Sequence, residues 1–187
     1  YQNEENRGVR ENFEKTIHLC SGDGIAISDQ DDVWNSDKLK QQEEAFVNRD
    51  ECLICHNSTI TDKNLVPQAT LWESLSPKYT LQKSNMGQFN QLLSRNFVQG
   101  ATILFDSGLR EYLSPFPSDW LYDYWIAMVA SYHGGIYTID SELLKYRQHE
   151  NQEIGVSTNF SINQIENSIE TGYQEYSDEV HRWELLR

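Results

Sequence analysis

The sequence is poor in cysteine and in basic residues, and it has no long apolar run. Three cysteines in 187 residues do not make a disulfide framework, so we expect a reducing compartment, the cytoplasm. Lysine and arginine number 15 against 29 acidic residues, and the formal net charge of -14 disfavours binding to nucleic acid or to an anionic membrane. No stretch is long enough to span a membrane, and we expect neither a membrane helix nor a signal peptide.

The chain has the length of one domain of ordinary size. Helical spacing of apolar residues predicts helices over 9–20, over 84–93, over 122–132 and from Ser36 onward, where we expect Leu39, Phe46 and Val47 to face inward. Short apolar runs predict strands over 25–28, 51–60, 101–105, 136–139 and 143–147, and the stretch 67–79 is predicted as a surface loop. This alternation predicts one α/β domain, residues 1–155, followed by a C-terminal helical extension, residues 156–187.

The strand predicted over 25–28 leads directly into three carboxylates, Asp29, Asp31 and Asp32. Oxygen ligands suit Mg²⁺ or Mn²⁺, which proteins usually hold by one or two carboxylates while substrate phosphates complete the shell. The loop therefore indicates a nucleotide-diphosphate substrate. The alternative is a solvated acidic turn, because short motifs are weak evidence on their own. The strand before the loop and the helix start after it favour a site.

Further motifs follow in a fixed order along the chain. They are Asn3, Asn6, Gly8, Asn12 and Phe13; Gly22-Asp23 followed by ISDQDDVW at 27–34; NFVQGAT at 96–102; YDYW at 122–125; and YRQH at 146–149 followed by Asn151. Together they resemble the family 2 glycosyltransferases with the GT-A fold, and in particular the bacterial rhamnosyltransferase-like branch. The similarity runs from Tyr1 to about Asn151. Members of the family also begin with a strand and helix that bind the nucleobase, and no segment of this chain matches that part.

The resemblance implies a fold and an activity. The fold is GT-A, a Rossmann-like mixed α/β sheet flanked by helices, here with a C-terminal helical tail. The activity is inverting transfer of a sugar from a nucleotide-diphosphate donor to a hydroxyl of a glycan or lipid-linked glycan, in the synthesis of a bacterial surface polysaccharide. A dTDP-rhamnose donor and Mn²⁺ or Mg²⁺ as cofactor are implied as well, and such an acceptor is compatible with a peripheral position at the inner membrane face.

The acidic loop and the motif near residue 147 supply the expected donor site. Asp31 is the expected metal ligand, and Asp32 either holds the loop or supports the metal. By similarity Asp29 faces the ribose of the nucleotide. Arg147 offers positive charge to the phosphates, and His149 is a candidate contact to the metal or the diphosphate.

The segments near residues 100 and 123 supply the expected acceptor side. Direct displacement needs a base on the acceptor hydroxyl, and Asp123 lies at the start of an apolar helix, where burial raises the proton affinity of a carboxylate. Its alternative role is that of an acidic residue favoured by the helix dipole. Gly100 is expected to permit close approach of the acceptor or of a neighbouring strand. Trp34 and Trp125, with Tyr122 and Tyr124, are candidates for a wall against a sugar ring, although buried aromatic residues more often belong to the core.

Other interpretations were weighed against this one. An EF-hand that starts at Asp29 would put Trp34 where glycine is required and Gln41 where glutamate is required, which excludes it. A catalytically inactive GT-A-like binding scaffold stays an alternative. The spacing of Cys52 and Cys55 fits buried strand thiols better than a zinc or redox site. The apolar stripe of the extension, which starts at Ser161, packs on the catalytic domain or forms a homodimer.

Overall fold

The computed structural model describes residues 3, 5–75, 82–117 and 120–148. The helices are α1 (Gly8–Leu19), α2 (Lys38–Val47), α3 (Leu71–Leu75), α4 (Asn85–Ser94), α5 (Arg110–Leu113) and α6 (Tyr122–His133), with 3-10 turns at Gly100–Thr102 and Ser107–Leu109. The strands are β1 (Gly24–Ala26), β2 (Val33–Trp34), β3 (Leu53–Thr61), β4 (Pro67–Thr70), β5 (Ile103–Asp106) and β6 (Ile136–Arg147). No helix among these residues is long and apolar enough to cross a membrane.

The strands form one mixed sheet. Its order is β1-β5-β3-β6-β2, and β4 pairs with the second half of β3. The long strands β3 and β6 run parallel, with Leu53 opposite Ile136, whereas every other pair is antiparallel. The predicted α/β class with a mixed sheet and flanking helices is therefore confirmed.

The core lies on both faces of β3. The side chains of this strand are buried along almost its whole length, a pattern typical of a strand covered on two sides. Helix α6 contacts β3 and also packs against α1 and α4, while α2 contacts β3, β5 and β6. Helix α6 contributes an almost unbroken run of buried residues from Ile126 to Ser131. The interior helix predicted from the apolar sequence over 122–132 is confirmed.

Three local predictions were wrong. In α2 the completely buried residues are Lys38 and Gln42, whereas Leu39 and Val47 are 47% and 69% exposed. The stretch predicted as a surface loop contains β4 and α3, because β4 pairs with β3 through residues that have no pattern of their own. The two short strands predicted over 136–147 are one strand, β6, with register shifts against β3 between them. The predicted extension, residues 156–187, lies outside the described residues, so the domain boundary at 155 stays a prediction.

Candidate active site

The acidic loop, residues 27–32, connects the two opposite edges of the sheet. It leaves β1 at one edge, where Ile27 N donates to the Ile103 carbonyl at 3.3 Å, and enters β2 at the other. The loop therefore begins beside Ile103, the first residue of β5, and ends where Val33 pairs with Lys145 of β6.

The three loop carboxylates form one electrostatic group. Burial raises the pKa of Asp29, and the neighbouring charge of Asp31 raises it further, while the ammonium of Lys38 lowers it. Burial raises the pKa of Asp32 to about 6, with Asp29 and Asp31 adding to this shift and a hydrogen bond from Arg147 opposing it. Like charges held together out of bulk water raise each other's proton affinity. The loop thus presents clustered negative charge, as the sequence predicts.

The bond from Arg147 joins the loop to the end of β6. The backbone N–H of Arg147 donates to Asp32 Oδ1 at 3.1 Å, and the next residue, Gln148, donates its N–H to the Thr61 carbonyl at 2.8 Å. The start of the predicted phosphate-binding motif therefore lies beside the acidic loop. His149, the predicted metal or diphosphate contact in the same motif, lies outside the described residues.

Asp123 lies in the first turn of α6, and its carboxylate faces the 3-10 turn at Gly100–Thr102. Asp123 Oδ2 accepts the backbone N–H of Gly100 at 3.0 Å, and Oδ1 accepts the N–H of Tyr124 at 2.7 Å. Burial raises the pKa of Asp123 to about 6, both hydrogen bonds oppose this, and the charge of Asp29 adds to it. The structure therefore brings the predicted base and the acidic loop into one electrostatic site.

The Tyr122 ring leaves no room for a side chain at position 100. A Cβ atom at Gly100 would lie 2.7 Å from Tyr122 Cζ and would overlap the phenol oxygen. The Tyr122 ring stacks on Phe13 at 3.8 Å between centroids. Burial and the charges of Asp29, Asp123 and Asp32 raise the pKa of the Tyr122 hydroxyl. The close approach expected at Gly100 is therefore made by a helix side chain inside the site, and not by a neighbouring strand.

Lys38 is the residue that the sequence interpretation missed. Its ammonium is completely buried, donates to the Ala101 carbonyl at 2.7 Å and lies 3.6 Å from the centroid of the Trp34 ring. Burial lowers its pKa to about 8, while the charges of Asp32 and Asp29 raise it. A signal existed in the sequence, because Lys38 and Gln42 stand four apart and so share one helix face. The apolar residues Leu39, Phe46 and Val47 instead led to the prediction of a different buried face.

The two predicted tryptophans have different surroundings. Trp34 is half-buried in β2 beside the acidic loop and beneath the Lys38 ammonium. Trp125 packs against the core, donates its Nε1–H to the Leu113 carbonyl at 2.8 Å and meets the Trp120 ring at 5.9 Å. A contact of Trp34 with a sugar is thus compatible with its position next to the carboxylates, whereas the indole N–H of Trp125 is bonded to α5.

The cysteine spacing places one thiol in the sheet and one just before it. Cys55 lies in β3 and is completely buried, and Cys52 precedes β3 and is half-buried. Burial raises the pKa of the Cys52 thiol to about 11 and that of the Cys55 thiol to about 12. Thiols with raised pKa values are poor nucleophiles and poor metal ligands. The interpretation as buried strand thiols is confirmed for Cys55 and is wrong for Cys52, which precedes the strand and is half-buried.

The fit of a divalent cation to the loop follows from its oxygen atoms. Among the described residues, no group of three or more His, Cys, Asp or Glu side chains could hold a metal ion. Asp32 Oδ2 is buried and, within that part of the chain, has no hydrogen-bond partner. An unsatisfied buried carboxylate oxygen is costly unless a cation or donor approaches it. Asp32 Oδ2 is thus an oxygen available to a cation, whose remaining ligands would have to come largely from substrate phosphates.

Comparison with known proteins gives one informative similarity. The chain is 26% identical over 167 residues to the dTDP-rhamnosyl transferase RfbG of Shigella flexneri. The match covers 78% of this chain and 50% of the relative, so the chain spans about half the length of the curated relative it matches. No model of a known protein family matches the chain. The similarity supports a distant relationship to a glycosyltransferase.

Proposed function

We propose that the protein is an inverting glycosyltransferase that transfers a sugar from a nucleotide-diphosphate donor to a hydroxyl of a glycan or lipid-linked glycan. The observation that carries the proposal is the position of the Asp123 carboxylate, which accepts the Gly100 N–H at 3.0 Å in a turn that Lys38 ties to Trp34 at the end of the acidic loop. Single displacement at a sugar needs a base for the acceptor and a separate site for the diphosphate. The similarity to a rhamnosyl transferase supports this assignment.

In the proposed reaction the acceptor oxygen attacks the anomeric carbon as the bond from that carbon to the diphosphate oxygen breaks. The electron pair of the broken bond leaves with the nucleoside diphosphate, and Asp123 takes the proton of the acceptor hydroxyl. A pKa of about 6 suits this task, because the carboxylate is mostly ionised at pH 7 and still basic enough to accept a proton. The Gly100 N–H holds Oδ2 in place at 3.0 Å.

On the donor side, Asp31 and Asp32 are the residues proposed to hold Mn²⁺ or Mg²⁺, with Asp29 facing the ribose. When bound, the cation neutralises the charge that develops on the leaving diphosphate. Arg147 lies beside the acidic loop, because its backbone N–H bonds Asp32, and its side chain is proposed to face the phosphates. The similarity to a dTDP-rhamnosyl transferase supports dTDP-rhamnose as the proposed donor. We propose a surface polysaccharide as the product.

A donor screen with purified full-length protein tests the proposal. Thermal unfolding is followed with dTDP-rhamnose, dTDP, UDP-glucose or GDP-mannose, each with Mn²⁺ and with chelator. A ligand at 100 times its dissociation constant stabilises the fold by about 2.7 kcal/mol. We expect stabilisation by dTDP-rhamnose with Mn²⁺, absent in Asp31→Ala and retained in Asp140→Ala, a control at an exposed position of β6.

Release of dTDP in the presence of acceptor glycans then separates enzyme from scaffold. Donor-dependent stabilisation together with acceptor-dependent dTDP release supports the transferase. Stabilisation without release for any acceptor, equal in wild type and Asp123→Asn, would favour the inactive binding scaffold. No stabilisation by any nucleotide sugar would remove the proposal.

A further inference from the structure

The 3-10 turn at Gly100–Thr102 is held from two sides. From one side, Lys38 Nζ donates to the Ala101 carbonyl at 2.7 Å, and Gln42 Nε2 donates to the Thr102 carbonyl at 2.9 Å. From the other side, the N–H of Gly100 donates to Asp123 Oδ2. Consecutive residues of one short turn therefore connect the start of α2 with the carboxylate of α6.

The start of α2 is itself tied to the acidic loop. Trp34 ends β2 directly after the loop, and its ring lies under the Lys38 ammonium at 3.6 Å. The charges of Asp29 and Asp32 also act on that ammonium. A chain of contacts therefore runs from Trp34 at the end of the acidic loop through Lys38 to the Ala101 carbonyl. Because the turn is short, a shift of the Ala101 carbonyl also shifts the neighbouring Gly100 N–H.

A buried ammonium is a costly way to fill space. Removal of an ammonium group from water costs several kcal/mol. Replacement of buried charges by apolar residues of similar volume is often neutral or stabilising. The imidazole of His56 is also completely buried, and burial together with the Lys38 charge lowers its pKa to about 4, so it is neutral near pH 7. Lys38 is thus the cation of this interior region, and core packing alone does not require one.

We propose that Lys38 is a positioning residue, which sets the location of the Gly100–Thr102 turn and hence of the Asp123 carboxylate relative to the acidic loop. The role in catalysis rests on the proposed transferase function. Lys38 itself touches no reacting atom in this scheme. Its effect passes through the Ala101 carbonyl and the Gly100 N–H, so its loss is expected to slow transfer while donor affinity is retained.

Lys38→Met is the informative variant, because methionine has a similar volume and lacks both the charge and the donor. The matched control is Gln88→Met, since Gln88 is also buried and bonds both the N–H and the carbonyl of Ile136 at 2.8 Å, away from the carboxylates. Gln42→Met serves as a second test variant, removing only the bond to the Thr102 carbonyl. It keeps the proposal testable if Lys38→Met does not fold.

The first readout is independent of activity. Amide exchange of Gly100, followed by NMR on the full-length protein, reports the stability of its bond to Asp123. Lys38→Met removes the bond from the Lys38 ammonium to the Ala101 carbonyl. A hydrogen bond to a charged group contributes about 1.5 to 3 kcal/mol, so loss of this bond makes opening of the turn roughly 10-fold to 100-fold easier. We expect that increase in Lys38→Met beyond any seen in Gln88→Met, and a smaller increase in Gln42→Met. Equal amide exchange of Gly100 in Lys38→Met and in Gln88→Met would overturn the proposal. If Lys38→Met is unfolded, equal exchange in Gln42→Met and in Gln88→Met would overturn it.

The second readout is steady-state transfer with the donor found in the screen. We expect kcat to fall about tenfold or more in Lys38→Met, with the donor KM within about threefold of wild type, and both constants unchanged in Gln88→Met. A rise in donor KM with unchanged kcat would contradict a positioning role toward Asp123. If wild type transfers no sugar, the proposed function fails, while the exchange of Gly100 still decides whether Lys38 holds the turn.

Discussion

Asp32 and Arg147, which are 115 positions apart in sequence, are joined by a hydrogen bond of 3.1 Å from the backbone N–H of Arg147 to Asp32 Oδ1. The bond closes the acidic loop onto the end of β6. It thereby brings together two segments that the sequence shows only as separate motifs, and it assigns Asp32 a structural role in addition to its proposed part in cation binding.

Asp32→Asn is expected to be more stable than Asp32→Ala by about 1 to 2 kcal/mol. Asparagine keeps an oxygen that accepts the Arg147 N–H, whereas alanine removes this hydrogen bond. Urea unfolding of both variants at one pH gives the difference. Equal midpoints and equal slopes would show that the bond contributes nothing to the fold.

Asp123→Asn is expected to lower transfer by a factor of roughly 10² to 10⁴, the usual effect of losing a general base. Donor affinity should change little, because the base faces the acceptor. In wild type, kcat/KM is expected to fall about tenfold per pH unit below pH 6, where the carboxyl becomes protonated, and Asp123→Asn should lack this decline. Transfer within threefold of wild type would exclude Asp123 as the base.

Asp123 should also make the stability of the fold depend on pH. Its pKa is about 6 in the folded protein against a model-compound value of 3.8, so the folded state holds the proton more tightly. The resulting stabilisation is fully present below pH 3.8 and is lost as the pH rises through 6. Its upper limit is about 3 kcal/mol, from 1.36 kcal/mol per pKa unit.

Asp123→Asn cannot titrate at this position, so its free energy of unfolding should improve relative to wild type between pH 4 and pH 7. Asparagine also replaces one of the two acceptors for backbone N–H groups, a cost that does not depend on pH. The slope of the difference between the two proteins, measured by chemical unfolding, is therefore the test. A difference that stays constant over this range would contradict the raised pKa.

Asp31→Ala is expected to abolish Mn²⁺-dependent nucleotide binding and leave the fold intact. Asp31 lies in the loop and acts on both neighbouring carboxylates. Calorimetric titration of dTDP with Mn²⁺ measures the effect, with Asp140→Ala as the control for loss of one negative charge. Equal affinity in wild type and Asp31→Ala, with and without chelator, would remove the metal role.

Gly100→Ala is expected to destabilise the protein by about 1 to 3 kcal/mol or more, since the added Cβ atom overlaps the Tyr122 ring. Gly24→Ala is the control, because the nearest atom to its Cβ is the end of the flexible Leu104 side chain, at 3.3 Å. The loss of stability caused by Gly100→Ala should be smaller in the Tyr122→Leu background than in wild type, because the overlapping ring is absent there. Thermal unfolding of the set measures this coupling, and strictly additive effects would argue against the contact.

Much of the fold was predictable from local patterns. The helical spacing of apolar residues predicts α1, α4 and α6 to within one or two residues, and the buried runs predict β3 and β5. The strand β4 shows why the rest was harder. Residues 67–70 have no period of their own, and they form a strand only because β3 offers them a partner.

The sequence by itself determined the carboxylate cluster after β1, the acidic residue at the start of α6 and the order of the motifs, because these depend on neighbours in the chain. Only the tertiary structure decided that Lys38 is buried, that Asp32 bonds Arg147 and that Gly100 meets Tyr122. The physical reason is that hydrophobic periodicity reports which face of an element favours burial, whereas the contacts from other elements decide which face is covered, as α2 shows. Lys38 is an interior residue because the folded chain supplies the Ala101 carbonyl from a distant segment, together with the Trp34 ring and the charges of Asp29 and Asp32 from the segment just before it.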